Sequence, residues 1–330
     1  MKKLNSLLFA FLLAIGVLAG CSDNADKLKD NTGTEQNAGT EEKQAVEQEE
    51  ASFPVTIKDA LDNEVVLGAK PERIVSLIPS NTEIAFALGL GSEIVGVNDY
   101  DNYPEEVNEK EKIGGVDFNV EKILSLKPDL VLAHASSAHN SAEGLQLLRD
   151  AGIAVVVVND AKNFDEVYDS INMIGTASGQ KEEVEKLVFE MKTKLEEIKT
   201  KAQDIKAEDR KTVFAEVSPA PDIYAVGVNT FINEMLIMLH ADNILTEEGW
   251  PKIDPEAVIE RNPDVIITTH GYYTEDPIAD VLARDGWQDI TAVKNQQVVD
   301  VHSDKVTRTG PRLVEGVEEL AKAIYPEVFK

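Results

Sequence analysis

Short runs of consecutive apolar residues alternate along this chain with longer stretches in which apolar residues return every three or four positions. The first kind comprises Arg73-Ile-Val-Ser-Leu-Ile, Ile94-Val-Gly-Val, 130–133, 153–158, the run opening at Arg210, 265–269 and 297–301. Each reads as a strand, and those at Arg73, 130–133 and 153–158 as strands apolar on both faces. The second kind comprises 82–90 with Ser80 or Asn81 as cap, 120–126, 142–151, 230–239 capped by Asn229 or Thr230, a stretch near 278–284, and 313–324. These read as helices. Strands apolar on both faces that alternate with helices predict parallel sheets covered on both sides. Ahead of them, Phe53-Pro-Val-Thr-Ile-Lys and Glu64-Val-Val-Leu flank Asp62-Asn63 and predict a short hairpin.

One segment occurs twice. Asn119-Val-Glu-Lys-Ile-Leu-Ser-Leu-Lys-Pro-Asp-Leu-Val-Leu returns as Asp254-Pro-Glu-Ala-Val-Ile-Glu-Arg-Asn-Pro-Asp-Val-Ile-Ile, at a constant offset of 135 residues. In both copies a helix-capping residue stands two places before a glutamate, and Pro-Asp then leads into an apolar run. Solenoid units repeat every ~20–50 residues, so this spacing describes two similar lobes instead. Between the copies, 164–177 predicts one helix and Gly179 interrupts it. From 181 to about 205, Val184, Leu187, Val188, Met191, Leu195 and Ile198 recur at helical spacing. The expected fold is α/β, with two parallel-sheet lobes of similar topology joined by a single long connecting helix and a ligand cleft between the lobes.

Composition adds a surface and a location. The formal net charge is -28, which argues against nucleic acid and against charge-driven binding to anionic lipid. The single cysteine, Cys21, rules out an intrachain disulfide and makes a cysteine-based zinc site very unfavourable. Lys2 and Lys3 precede an apolar stretch from Leu7 to Leu18, and Leu18-Ala-Gly-Cys21 follows. That order is a secretory signal, too short for a spanning helix, which needs ~20 apolar residues. It resembles the bacterial lipoprotein signal, in which the cysteine becomes the lipidated first residue. Residues 22 to about 52 are acidic, polar and nearly free of large apolar side chains, so they read as a disordered tether. The expected organisation is a signal over 1–20, a lipidated Cys21 with its tether over 21–52, an N-terminal lobe over 53–178, the connecting helix over 179–206 and a C-terminal lobe over 207–330.

Catalytic signatures are absent: no phosphate loop, no H-E-x-x-H, no G-x-S-x-G and no G-x-G-x-x-G after a strand. His134 and His139 lie five apart and can share a metal or bear on a ligand, which keeps a secreted hydrolase or metalloenzyme as the rival reading. A binding protein is better supported, because a two-lobed α/β body takes its ligand at the strands' carboxyl ends. The segments there are Asn98-Asp-Tyr100-Asp-Asn-Tyr-Pro, His134 to His139, Ser218-Pro-Ala-Pro-Asp-Ile-Tyr224, Gly249-Trp250-Pro, and His302-Ser-Asp304-Lys-Val-Thr-Arg308-Thr-Gly-Pro-Arg312. Tyr100 and Trp250 suit stacking on a flat apolar ligand, Tyr224 is a further candidate ligand residue, and Arg308 suits a carboxylate, a phosphate or a ring face.

Pro71-Glu-Arg-Ile-Val-Ser-Leu-Ile-Pro-Ser-Asn-Thr-Glu-Ile, Val97-Asn-Asp-Tyr-Asp-Asn-Tyr-Pro, the first copy of the repeat, and Arg308-Thr-Gly-Pro-Arg-Leu carry a resemblance from about Phe53 to the end. The chain is similar to the substrate-binding lipoproteins of ABC importers for cobalamin or iron-siderophore complexes. The resemblance implies a shallow cleft, a rigid connecting helix and limited closure. It implies that Glu121 and Glu256 dock on arginines of a membrane permease; the helix dipole alone also favours a carboxylate in a first turn, by ~0.3–1 kcal/mol. Within the family the chain looks closest to the cobalamin binders, with Tyr100, Trp250, Asp304 and Arg308 at ligand-contact positions. It departs from them at Gly115 and His134, where further tryptophans can stand. The expectation is a monomeric, non-enzymatic receptor without cofactor or metal, lipid-anchored on the outer face of the cell membrane, that hands cobalamin to its permease. An iron-siderophore is the alternative ligand, and haem a third, with His134 or His270 as axial ligand. In this scheme each repeated unit presents its glutamate at one end and its histidine, His134 or His270, at the other.

Overall fold

The computed structural model describes residues 53–330; the expected signal segment, Cys21 and the acidic tether lie outside the described residues. The hairpin is present: β1 (Val55–Lys58) pairs antiparallel with β2 (Glu64–Leu67), and Asp62 takes the positive φ of the turn. There follow β3 (Ile74–Ser76), α1 (Pro79–Ala87), β4 (Ile94–Val97), β5 (Glu111–Lys112), α2 (Val120–Leu126), β6 (Leu130–His134), α3 (Ala135–Ala138), α4 (Ala142–Asp150) and β7 (Ala154–Val158). The strands of this group form one sheet in the order β5-β4-β3-β6-β7, every neighbouring pair parallel.

The helices α5 (Phe164–Ser178) and α6 (Lys181–Ala202) come next, parted at Gly179, whose left-handed conformation closes the first of them. The second sheet uses β8 (Thr212–Ser218), β9 (Tyr224–Ala225), α7 (Phe231–Met238), β10 (Asp242–Asn243), α8 (Pro255–Arg261), β11 (Val265–Thr268), α9 (Pro277–Leu282), α10 (Thr291–Lys294) and β12 (Val298–Asp300), and is followed by α11 (Ser303–Thr307) and α12 (Leu313–Ile324). Its order is β10-β8-β11-β12, all parallel, with β9 antiparallel beside the end of β8. The order β4-β3-β6-β7 in the first sheet is therefore repeated as β10-β8-β11-β12 in the second.

Alternation along the strands explains how the two sheets are tied together. Leu130, Leu132, Val156 and Val158 of the first sheet, and Val213, Ala215, Val265 and Ile267 of the second, belong to one continuous core. The intervening residues turn to separate cores: Val131, Ala133, Val155 and Val157 to one, Phe214 and Ile266 to another. The shared core is completed by α5, α12 and the buried stripe of α6, Val184, Met191, Leu195, Ile198 and Ala202. The 22 residues of α6 span about 33 Å at 1.5 Å per residue. Thus the expected connector is a packed helix whose inner face belongs to the core of both sheets.

The repeat has a structural cause in each lobe. Asn119 and Asp254 cap α2 and α8 with their side chains, and Lys127 and Asn262 end those helices in the left-handed conformation. The aspartates of Pro-Asp then fix strand register. Asp129 accepts from the N–H groups of Glu72 and Arg73, while its own N–H donates to Arg73 O. Asp264 does the same with Thr212, accepting from its N–H and hydroxyl and donating back to its carbonyl.

The first helix differs from expectation at its start. α1 begins at Pro79, with Ile78 as an N-cap that makes no side-chain bond. Proline costs nothing at the first helical position, where the N–H has no partner anyway. Ser80 and Asn81 thus lie inside the first turn rather than capping it.

Candidate functional site

All the strands of the two main parallel ladders run the same way within their sheet, so each sheet has one carboxyl edge. Six of the seven exposed aromatic side chains among the described residues lie on segments at these edges: Tyr100, Tyr103, Tyr224, Trp250, Tyr272 and Tyr273. The seventh, Phe189, is on α6. Singly, exposed rings need no explanation; several at strand ends make a candidate surface for a ligand. A broad hollow of about 890 Å³, lined by Val65, Leu67, Pro128 and Val155 among others, lies at the opposite edge, where β6 begins.

The segment after β4 is held from beneath. Asn98 donates to Leu77 O and Gly115 O and accepts from Tyr100 N–H. Thr82 links Ser76 to the Asp101 carboxylate, and Lys112 donates to the carbonyls of Asn98 and Asp101. Burial pushes the Asp101 carboxyl up to about 6, against the opposing pull of Thr82, Asn98, Lys112 and Arg308. On this base Tyr100 stands 67% exposed, its ring lying over Gly115, where a β-carbon would come within 3.0 Å.

Asp304 and Arg308 are brought to Tyr100 as the sequence suggests, but their polar groups are engaged by protein. Arg308 Nη1 donates to Glu83 Oε1 (2.9 Å) and Asn102 Oδ1 (2.7 Å), and Nη2 to Tyr100 O (3.2 Å). Nη2 also lies 3.1 Å from Asp304 Oδ1, and Asn102 donates to Asp304 Oδ2. Arg312 grips the same Glu83 through Nε (2.9 Å) and Nη2 (2.6 Å), with its guanidinium 4.1 Å over the Tyr103 ring. Glu83 lies on α1, and the arginines lie at the end of α11 and the start of α12. The buried carboxylate therefore clamps the two halves of the chain together.

The histidines are likewise occupied. His134 ends β6 and is buried; its Nδ1 accepts from Ser136 N–H and meets Ser136 Oγ at 2.8 Å. Burial lowers its pKa, against Asp160 and the backbone of Asn159, which raise it. His139, past α3, is exposed. His270 is fully buried, with Nε2 3.0 Å from Glu216 Oε1 and Nδ1 3.0 Å from Thr274 Oγ1. Glu216 also receives both Nη groups of Arg284 (2.8 and 3.0 Å), whose guanidinium stacks 4.2 Å over Trp287. Burial opposes ionisation of Glu216, but the bonds from His270 and Arg284 outweigh it and hold the carboxyl below its usual range. Among the described residues no three His, Cys, Asp or Glu side chains converge on a metal site.

In the second lobe Tyr224 and Trp250 sit on adjacent paired segments: Ala225 and Gly227 donate to Pro251 O and Gly249 O. Trp250 is half exposed and rests on Phe231, ring centroids 5.6 Å apart. Tyr272 and Tyr273 are not singled out by sequence reasoning, yet they are among the most exposed aromatics. Their signal was present in outline: two adjacent aromatics in the segment that follows the strand at 265–269.

Glu121 and Glu256 are exposed in the first turns of α2 and α8, and among the described residues neither carboxylate forms an ion pair. Their placement corrects one expectation. The start of α2 is tied to the carboxyl edge, because Asn119 N–H donates to Ile113 O and Ile113 N–H to Val97 O at the end of β4. Ile253 N–H, just before α8, is bonded to Ile223 O beside β9. Each helix then folds back before its strand returns, so Glu121 and His134, or Glu256 and His270, share one edge rather than occupying opposite ends.

The family described as "Periplasmic binding protein" matches residues 74–305. The chain is 49% identical over 331 residues to the ABC transporter substrate-binding lipoprotein YvrC of Bacillus subtilis, covering 100% of both chains. It is 32% identical over 267 residues to the vitamin B12-binding protein of Vibrio cholerae, covering 76% of this chain and 90% of that one. Among solved structures, a possible iron-binding, periplasmic solute-binding protein of Staphylococcus epidermidis aligns with a TM-score of 0.70 at 40% identity, covering 78% of this chain and 100% of that one. The periplasmic haem-binding protein RhuT of Roseiflexus aligns with a TM-score of 0.70 at 26% identity, covering 78% and 99%.

Proposed function

The chain belongs to the periplasmic binding protein family and is an ABC-transporter substrate-binding protein; from that premise we propose that it captures a corrinoid outside the cytoplasm and delivers it to a membrane permease. The observation that carries this reading is the gathering of six exposed aromatic rings at the strands' carboxyl edges. Flat, amphipathic rings suit a large planar macrocycle with polar side groups. The charge at those edges agrees. Arg284, Arg308 and Arg312 are each ion-paired within the protein, which leaves little to attract a strongly anionic ligand.

In this scheme Tyr100, Tyr224 and Trp250 contact the ligand. Asp304 and Arg308 hold the Tyr100 segment and present their remaining polar surface to it, and His134 shapes the floor beside β6. Glu121 and Glu256 lie on the same edges as the ligand surface and dock on the permease. Cys21 carries the lipid, and the tether lets the body reach the transporter from the outer face of the membrane.

A ferric siderophore is the second reading, favoured by the 40% identity to the possible iron-binding protein of Staphylococcus epidermidis. Haem through a histidine is disfavoured by the engagement of His134 and His270 with their neighbours. Equilibrium dialysis of the purified chain against cyanocobalamin, haem and a ferric siderophore tests the choice. Retention of cyanocobalamin alone is expected; retention of the siderophore without cyanocobalamin would transfer the assignment to the second reading.

A further inference from the structure

Exposed turns are ordinarily the mobile part of a binding surface. The turn at 270–274 is fastened at almost every residue. His270 is locked by Glu216 on one ring nitrogen and by Thr274 on the other. Gly271 donates to Asp300 Oδ1, which Thr268 also holds, and a β-carbon at 271 would collide with that carboxylate. The N–H groups of Tyr273 and Thr274 both donate to His270 O. What this turn presents is a pair of exposed rings: Tyr272 and Tyr273 meet edge to face at 4.6 Å, and Tyr273 lies 5.9 Å from the His270 ring.

A buried ionic cluster is a costly way to hold a surface turn, since each ion loses its hydration. Its effect is rigidity. Nε2 of His270 donates to the Glu216 carboxylate, and Nδ1 pairs with the Thr274 hydroxyl. Arg284 neutralises Glu216 and is itself stacked on Trp287, a core residue. An aromatic pair immobilised in this way loses little conformational freedom on meeting a ligand.

We propose that the turn at 270–274 is a preorganised platform on which Tyr272 and Tyr273 receive the flat face of the corrinoid, and that Glu216, His270 and Arg284 are positioning residues that hold it. This rests on the corrinoid reading above. The platform acts through ring faces, so hydroxyl removal is tolerated and ring removal is not.

Calorimetric titration with cyanocobalamin, beside thermal unfolding of each variant, tests it. Tyr272→Ala is expected to weaken binding about tenfold, and Tyr272→Phe to stay within about twofold of the wild type. Thr274→Val, which removes only the hydroxyl on His270, is expected to cost about fivefold, and Thr274→Ser to restore the affinity. Wild-type affinity in both Tyr272→Ala and Tyr273→Ala overturns the platform while leaving the corrinoid assignment standing. Weakening by Thr274→Ser equal to that by Thr274→Val overturns the positioning role. Failure of the wild-type chain itself to bind cyanocobalamin overturns both this inference and the reading on which it rests.

Discussion

Glu83 shows how much a single side chain can differ from its sequence appearance. In the sequence it is one member of a helix-opening Ser-Asn-Thr-Glu; in the structure it is a buried carboxylate held by two arginines more than two hundred residues away. The same turn supplies Thr82 to Asp101 and Asn81 to the carbonyl of Ala133. Asp101 makes this polar layer sensitive to pH. Its carboxyl is raised by burial, and Oδ1 has no hydrogen-bond partner among the described residues. A raised carboxyl stabilises the fold while protonated, so its contribution is complete below the ordinary value of 3.8 and is lost as pH rises through about 6. Relative to Asp101→Asn, the wild type should therefore lose about 2–3 kcal/mol between about pH 4 and 7. Urea unfolding of both proteins across that range measures it, and a constant difference would refute the assignment. Tyr100, Trp250, Asp304 and Arg308 could be picked from the chain as strand-end residues. That the arginine's donors face protein could not, because the pairing depends on two segments meeting only in the folded molecule.

At the scale of elements, the repeat was legible because capping, helix termination and strand register each demand a particular residue. Asn119 and Asp254, Lys127 and Asn262, Asp129 and Asp264 perform matching tasks in the two lobes. Asp264 is the more enclosed of the two register aspartates and binds a hydroxyl as well as an N–H. Asp264→Ala is accordingly expected to destabilise by about 2 kcal/mol and Asp129→Ala by about 1 kcal/mol. Chemical denaturation gives the order directly; equal or inverted effects would contradict the register role. Helix and strand positions follow from periodicity, as with α12, which spans the 313–324 expected of it. The short α3, α10, α11, β5, β9 and β10 did not, since two to five residues are too few to show a period. The direction in which α2 folds back on β6 was also beyond the pattern, and it decides which edge Glu121 occupies.

Across residues 53–330 the two sheets share one core through α5, α6 and α12, with the Glu83 clamp near the carboxyl edge of the first sheet. Alternating apolar residues identify strands, but not which of two cores each face enters, so this continuity was hidden in the sequence. A shared core resists wide hinge motion, and recognition by the permease then depends on groups displayed in nearly fixed positions. Glu121 and Glu256 meet that requirement: both are exposed, on corresponding helix starts, at the edges that carry the aromatic rings. Replacing both by alanine is expected to abolish cobalamin uptake in cells with the ligand affinity of the purified protein unchanged. Uptake at the normal rate would show that docking uses other residues.

The protein's two tryptophans make the central claim measurable in a single titration. Trp287 is buried against Phe214 and Arg284, whereas Trp250 is half exposed at the carboxyl edge. Cyanocobalamin added to the purified chain should quench tryptophan fluorescence saturably at one ligand per protein, and Trp250→Phe should remove most of that signal while dialysis still finds the ligand bound. No saturable change with cyanocobalamin, beside clear retention of a ferric siderophore in dialysis, would contradict the assignment of this protein as a corrinoid receptor.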